Sequence, residues 1–148
     1  LKAWRGLLRV HAHLVKALDA QLEREHGIGL TTYEVLVYLE TSPECQMRMC
    51  DLADSILLSR SGLTRLADRL ERVGLIARAS CAHDARGAYA VLTPRGRDTL
   101  RAARSTHHAG VRTHFLSRLA AGELRELAEL WDRIAPEPAP RARVPGCP

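Results

Sequence analysis

The sequence predicts a mainly α-helical protein that carries one small β-hairpin. Apolar residues recur at intervals of three and four over most of the chain, which is typical of amphipathic helices. After Gly74 the interval changes to two for a short distance, which indicates strands. Glycine, proline, serine and threonine stand at the boundaries of these segments, where helices and turns begin and end.

Two helices are predicted in the first part of the chain. The first covers residues 1–26, and its apolar face carries Trp4, Leu7, Leu8, His11, Leu14, Val15, Leu18 and Leu22. Gly27 and Gly29 end it, because glycine accepts the left-handed conformation that closes many helices. Thr31 and Glu34 have the spacing of a capping box, which predicts that the second helix opens there. Pro43 closes that helix.

Two shorter helices and a hairpin follow. Met49, Leu52, Ala53 and Ile56 predict a short third helix, and Ser59 is a suitable N-cap for a fourth with the buried stripe Leu63, Leu66, Leu70 and Val73. Gly74 ends the fourth helix. Residues 75–79 and 89–92 alternate as strands do, and the polar stretch 80–88 predicts the loop between them.

The C-terminal part is predicted to be helical again before a proline-rich tail. Thr93 as N-cap and Pro94 at the first helical position start a long helix that runs through Phe115. Leu124, Leu127, Trp131 and Ile134 give a last helix. Five of the seven prolines lie in residues 136–148, so this segment is expected to be a disordered tail.

Composition and charge narrow the class of protein. The 148 residues hold 22 Lys and Arg against 17 Asp and Glu, and the whole surplus of five positive charges lies in residues 45–104. Such an excess favours a polyanionic partner for that region, although a solvated Arg-rich surface would look the same. No apolar run approaches the roughly 20 residues of a membrane helix, and we expect a cytoplasmic protein that does not bind membranes.

The order of the predicted elements is that of a winged helix-turn-helix, and the basic surplus covers it. A helix that enters the major groove of DNA exposes side chains in its first two turns and buries the opposite face. The exposed candidates are Ser59, Arg60, Ser61, Thr64 and Arg65. Arg86 beside Gly87 in the hairpin loop is a candidate for the minor groove.

These residues resemble the MarR (multiple-antibiotic-resistance regulator) family of bacterial transcription factors. The resemblance lies in residues 57–71, in Gly74-Leu75-Ile76, in Asp84-Ala85-Arg86-Gly87, and in Leu92-Thr93-Pro94-Arg95-Gly96. It implies a winged helix-turn-helix DNA-binding domain over 31–94 on a helical dimerisation region formed by 1–26 and 95–135. The tail, 136–148, has no counterpart in it.

The resemblance also implies a homodimer that binds a palindromic operator in double-stranded DNA. Two long amphipathic helices at opposite ends of the chain independently favour a partner surface. The expected interface residues are Leu7, Phe115, Leu127, Trp131 and Ile134, together with Trp4. Asp68 and Asp84 are expected to support the wing, Asp68 through a pair with Arg86.

Members of this family commonly release DNA when a small aromatic or phenolic compound binds between the platform and the winged lobe. Trp4, His11, Glu34 and Tyr38 are the candidates for that site. The alternatives are a redox-responsive regulator that uses Cys81, and a DNA-binding or interaction module without an effector. No catalytic motif is present, so we expect no enzyme; we also expect no cofactor, and the spacing of the Cys and His residues does not favour a metal site.

Overall fold

The computed structural model describes residues 1–81 and 84–135, with the side chains of 81 and 84–87 excluded. Within these residues the protein is mainly α-helical with one small antiparallel sheet, which confirms the predicted fold class. The elements are α1 (Lys2–His26), α2 (Leu30–Thr41), a 3-10 turn (Pro43–Cys45), β1 (Gln46–Arg48), α3 (Met49–Ser55), α4 (Arg60–Arg72), β2 (Ile76–Cys81), β3 (Asp84–Leu92), α5 (Pro94–His114), a second 3-10 turn (Leu116–Arg118) and α6 (Ala121–Ile134).

The sheet has three strands in the order β1-β3-β2, all antiparallel. The predicted hairpin corresponds to β2 and β3, but both strands extend into the stretch that the sequence assigned to a loop. β1 was not predicted, because its three residues are too few for an alternating pattern. β1 pairs with the C-terminal half of β3, Met47 opposite Ala90, and so anchors the base of the hairpin.

The core lies where α2, α3 and α4 meet this sheet and the start of α5. Its fully buried side chains include Leu36, Leu39, Leu52, Leu63 and Leu100. On α4 the predicted stripe is buried at Leu63, Leu66 and Leu70, with Ala67 between them. Burial of a leucine side chain is worth about 2 kcal/mol, so this stripe fixes which face of α4 is left to solvent.

Two helix starts follow the predicted caps. The Ser59 hydroxyl accepts a hydrogen bond from the Gly62 backbone N–H at 3.1 Å, at the start of α4. The Thr93 hydroxyl accepts from the Gly96 N–H at 2.9 Å and donates toward the Gly74 carbonyl at 2.7 Å. Thr93 therefore ties the start of α5 to the end of α4, and a cap of this kind is worth about 1 kcal/mol.

The predicted capping box of Thr31 and Glu34 is wrong. Helix α2 begins at Leu30 after Gly29, and no side chain at the N-cap position closes its first turn. The Leu30 N–H instead donates to Asp19 Oδ1 of α1 at 2.8 Å. A cap supplied by another helix leaves no mark in the local sequence, which is why spacing alone placed the N-cap at Thr31, two residues after the observed N-cap Gly29.

Helices α1, α5 and α6 form the second part of the molecule. Helix α1 packs along α5, and a Cβ at Gly110 would lie 2.7 Å from Leu18 Cδ2, so the two backbones approach closely there. Helix α6 buries none of its residues, although one side of it is apolar. None of the described helices is long and apolar enough to cross a bilayer. The predicted tail, 136–148, lies outside the described residues.

Candidate nucleic-acid interface

The solvent face of α4 carries the predicted DNA-reading residues. Ser59, Arg60, Ser61, Thr64 and Arg65 are all exposed, because the buried stripe occupies the opposite side of the helix. Within the described residues, neither Arg60 nor Arg65 forms an ion pair. Their guanidinium groups can therefore form new hydrogen bonds without first breaking an internal salt bridge.

The three hydroxyl side chains on this face are partly engaged within the helix. Thr64 Oγ1 donates to the Arg60 carbonyl at 2.9 Å, and Ser59 Oγ caps the helix and lies 3.3 Å from Ser61 Oγ. A hydroxyl has two acceptor positions and one proton, so each group can still bind a phosphate or a base edge. The two arginines are nevertheless the groups on this face with the most unused donors.

The turn before α4 contains a residue in an unusual conformation. Leu57 has a φ of 54°, in the left-handed region, and its side chain is 92% exposed. The next residue returns toward the core, and the Leu58 N–H donates to the Ala53 carbonyl at 3.0 Å. This turn joins the end of α3 to the start of α4.

The hairpin lies beside α4 and forms the wing. Asp84, Arg86 and Cys81 were predicted to act there, and their side chains lie outside the described residues. Asp68 was predicted to pair with Arg86; in the structure it contacts Arg78 of β2, with Asp68 Oδ1 2.6 Å from Arg78 Nη2. Arg78 was not among the predicted site residues, because only the placement of β2 against α4 in the tertiary structure brings it to this carboxylate.

A large apolar groove lies between α1, the end of α5 and α6. Its volume is about 1110 Å³. It is lined by all the predicted interface residues, namely Trp4, Leu7, Phe115, Leu127, Trp131 and Ile134. Trp4 is 57% exposed and Ile134 73% exposed. An apolar surface of this extent is unusual on a monomer and is typical of a protein contact.

The four predicted effector residues do not form one site. Trp4 lines the groove, whereas His11, Glu34 and Tyr38 are not among the residues that line it. Glu34 and His11 do interact: desolvation raises the pKa of the Glu34 carboxyl above its ordinary value, and the charge of His11 opposes that rise. Tyr38 is partly exposed on α2.

Polar contacts join the winged lobe to α5. The Tyr33 ring of α2 stacks on His107 of α5 with a centroid distance of 4.4 Å, and Arg104 of α5 forms an ion pair with Glu40 of α2. Burial lowers the pKa of His107, and neighbouring His108 lowers it further. His107 Nδ1 is buried and has no hydrogen-bond partner among the described residues. Protonation of this ring would therefore leave a buried charge at the seam between the two parts.

The described residues contain no cluster of three or more His, Cys, Asp and Glu side chains suited to a metal ion. The histidines on α1 and α5 do not gather at one point. His13 meets His114 edge to face at 6.2 Å, while His107 packs against Tyr33.

Comparison with known proteins agrees with this architecture. The MarR family model matches residues 26–87. The crystal structure of AbsC, a MarR family transcriptional regulator from Streptomyces coelicolor, is 39% identical with a TM-score of 0.82 and covers 90% of this chain and 89% of that one. Sco3205, a MarR family regulator from the same organism solved in complex with DNA, is 33% identical with a TM-score of 0.83 over 93% and 90% of the two chains.

A more distant structure shares the fold. A mutant of MarR from E. coli complexed with operator DNA has a TM-score of 0.79 at 21% identity, over 92% of this chain and 95% of that one. Among curated protein sequences, none matches this one. The fold, the family model and the identity to AbsC together define a winged-helix regulator. The chain belongs to the MarR family of transcriptional regulators.

Proposed function

We propose that this protein is a homodimeric repressor that binds a palindromic operator in double-stranded DNA in the bacterial cytoplasm. One observation carries the proposal: the first two turns of α4 expose Arg60 and Arg65 without an ion-pair partner in the described chain, while the opposite face is buried in the core. A helix so held can enter the major groove without losing any packing.

The chemistry of that face suits base recognition. An arginine donates two hydrogen bonds to O6 and N7 of guanine, and each such pair discriminates against a wrong base by about 1–3 kcal/mol. Ser59, Ser61 and Thr64 can bind phosphates or base edges. Arg86 of the wing is proposed to enter the adjacent minor groove, where a narrow A·T-rich segment attracts a cation.

A second copy of the chain is proposed to cover the apolar groove. Helix α6 buries nothing within the described chain, and the groove exposes two tryptophans and several aliphatic side chains. A twofold dimer would bury the same patch on both copies and would present two α4 helices about one DNA turn apart. Two such helices related by a twofold axis require a palindromic site.

A small aromatic compound is proposed to release the DNA by binding where α1 and α2 face each other. His11 and Glu34 support this location, because the charge of His11 opposes the rise that desolvation causes in the pKa of the Glu34 carboxyl, and both side chains are exposed. A phenolic acid could stack on Tyr38 and bind His11 through its carboxylate. Titration of salicylate into the protein–operator complex tests this: loss of the complex supports an effector of this class, and an unchanged complex removes the support for it.

The DNA-reading role is tested by selecting the operator from a random duplex library with the full-length protein. We expect Arg60→Ala and Arg65→Ala each to relax selection at one or two positions per half-site, because each removes a bidentate base contact. Arg101→Ala is the matched control, since it removes one exposed positive charge on α5. If both variants select the wild-type sequence with undiminished preference, α4 does not read the bases through these arginines.

A further inference from the structure

Arg78 of β2 contacts one stripe of α4 through both terminal nitrogens of its guanidinium and through its backbone N–H. Its guanidinium lies 2.6 Å from Asp68 Oδ1 and 3.6 Å from Glu71 Oε2. It also donates to the Thr64 carbonyl at 3.2 Å. Its backbone N–H donates to Glu71 Oε1 at 3.1 Å. Residues 64, 68 and 71 follow one another along one side of the helix, so a single wing residue holds two turns of α4.

These contacts start directly behind the proposed base-reading residues. Thr64 belongs to the exposed face, and Arg65 is its neighbour in sequence. A hydrogen bond to the Thr64 carbonyl fixes the backbone at the point from which these side chains reach toward DNA. Arg78 itself stands on β2 opposite Ala90 of β3, so the bond also fixes the wing relative to the helix.

The surroundings of Arg78 argue against a direct phosphate contact. Its side chain is only 30% exposed, and its donors already face three acceptors on α4. Two carboxylates flank its one positive charge, so the cluster carries a net charge of minus one. A group in this state adds no positive charge to the DNA-facing surface, unlike Arg60 and Arg65.

We infer that Arg78 is a positioning residue that locks the recognition helix to the wing, so that the two elements meet the major and minor grooves in one fixed register. This inference rests on the proposed function. It makes Arg78 the residue with which Asp68 pairs to support the wing. It also gives Arg78 a second effect: its single positive charge offsets half of the negative charge of Asp68 and Glu71, which would otherwise repel the phosphate backbone more strongly.

The test measures the affinity of the full-length protein for its selected operator and for unrelated duplex at several salt concentrations. We expect Arg78→Gln to weaken operator binding about tenfold or more, because it removes charge-assisted bonds that hold the helix. The ratio of operator to unrelated affinity should fall, while the slope of log K against log salt should not become shallower. A direct phosphate contact by Arg78 of each protomer would instead reduce the steepness of that slope by about 1.8 for the dimer and weaken both DNAs equally.

Asp68→Asn and the double variant Arg78→Gln with Asp68→Asn complete a cycle. A shared role predicts that Asp68→Asn weakens the operator complex in the same way, and that the double variant is little weaker than Arg78→Gln alone. Additive effects, or wild-type selectivity in Arg78→Gln, overturn the inference. If Arg78→Gln does not fold, as judged by its thermal unfolding, Asp68→Asn alone decides between these outcomes. Failure of the wild-type protein to bind any duplex at low salt would instead reject the proposed function.

Discussion

Gly96 shows at the scale of a single residue how the wing is joined to α5. An ideal Cβ at this position would lie 2.1 Å from the Leu75 carbonyl oxygen and 2.9 Å from Leu92 Cδ1. The first of these atoms belongs to the backbone and cannot rotate away. Glycine is therefore required here for the close approach of two chain segments rather than for an unusual φ.

We expect Gly96→Ala to lower the free energy of unfolding by about 3 kcal/mol, because the backbone of α5 must move away from the Leu75 carbonyl to admit the methyl group. Urea unfolding at a fixed protein concentration measures this. Gly122→Ala is the control, since nothing lies within 4 Å of its ideal Cβ. Equal stability of the two variants would show that α5 does not pack against Leu75 as described.

Individual residues also show which parts of the site could be predicted from the sequence and which could not. Exposure of Arg60 and Arg65 follows from the periodicity of the leucines on the same helix, so it could be predicted. Arg78 could not be found in this way, because its partners Asp68 and Glu71 lie on another element. The pattern of residues within one segment of sequence does not predict which helix residues a strand residue will contact.

At the scale of elements, a helix cap could be predicted only where the capping residue belongs to the same stretch of sequence as the helix. Ser59 and Thr93 close their own helices, so local spacing predicted both. Helix α2 is closed by Asp19 of α1, and β1 is a strand only because β3 lies beside it. Elements defined by distant partners were missed or misplaced, whereas elements defined by their own periodicity were found.

The seam between α2 and α5 predicts a dependence of stability on pH. Burial holds the pKa of His107 below its ordinary value of 6.5, so the unfolded chain binds a proton at this site more readily than the folded protein. The folded state is therefore favoured fully above about pH 6.5 and loses stability as the pH falls below that value.

We expect His107→Phe to reduce this loss, because phenylalanine keeps the stacking on Tyr33 and cannot take a proton. The difference in free energy of unfolding between the two proteins, followed from about pH 7.5 to 5, isolates His107, since all other titrating groups are shared. Parallel curves for the two proteins would show that His107 does not titrate differently in the folded state.

At the scale of the whole molecule, the apolar groove predicts the oligomeric state. We expect the protein to be a dimer in solution and Leu127→Glu to shift it toward the monomer, because the change places a charge among the groove side chains. Sedimentation velocity measures this directly. Glu126→Gln is the control, as a neighbouring change on α6 outside the groove lining. A wild-type monomer at micromolar concentration would contradict the proposed dimer.

At the same scale, the charge along the chain does not divide between the winged lobe and the helical platform. Residues 45–104 hold the positive surplus, but residues 45–94 carry seven Arg against five acidic residues, whereas residues 95–104 at the start of α5 carry four Arg against one. The proposed DNA contact therefore depends on which arginines the fold exposes, above all Arg60 and Arg65 on α4, rather than on the net charge of the lobe. The central proposal is that these exposed cations bind DNA directly.

The most direct test is the salt dependence of operator binding by the wild-type protein, measured by fluorescence anisotropy. If the dimer neutralises about 6–10 phosphates, the association constant should fall by about 10³–10⁵ between 50 and 200 mM salt. The plot of log K against log salt should be linear. An affinity that barely changes over this range would contradict direct binding of the phosphate backbone by this protein.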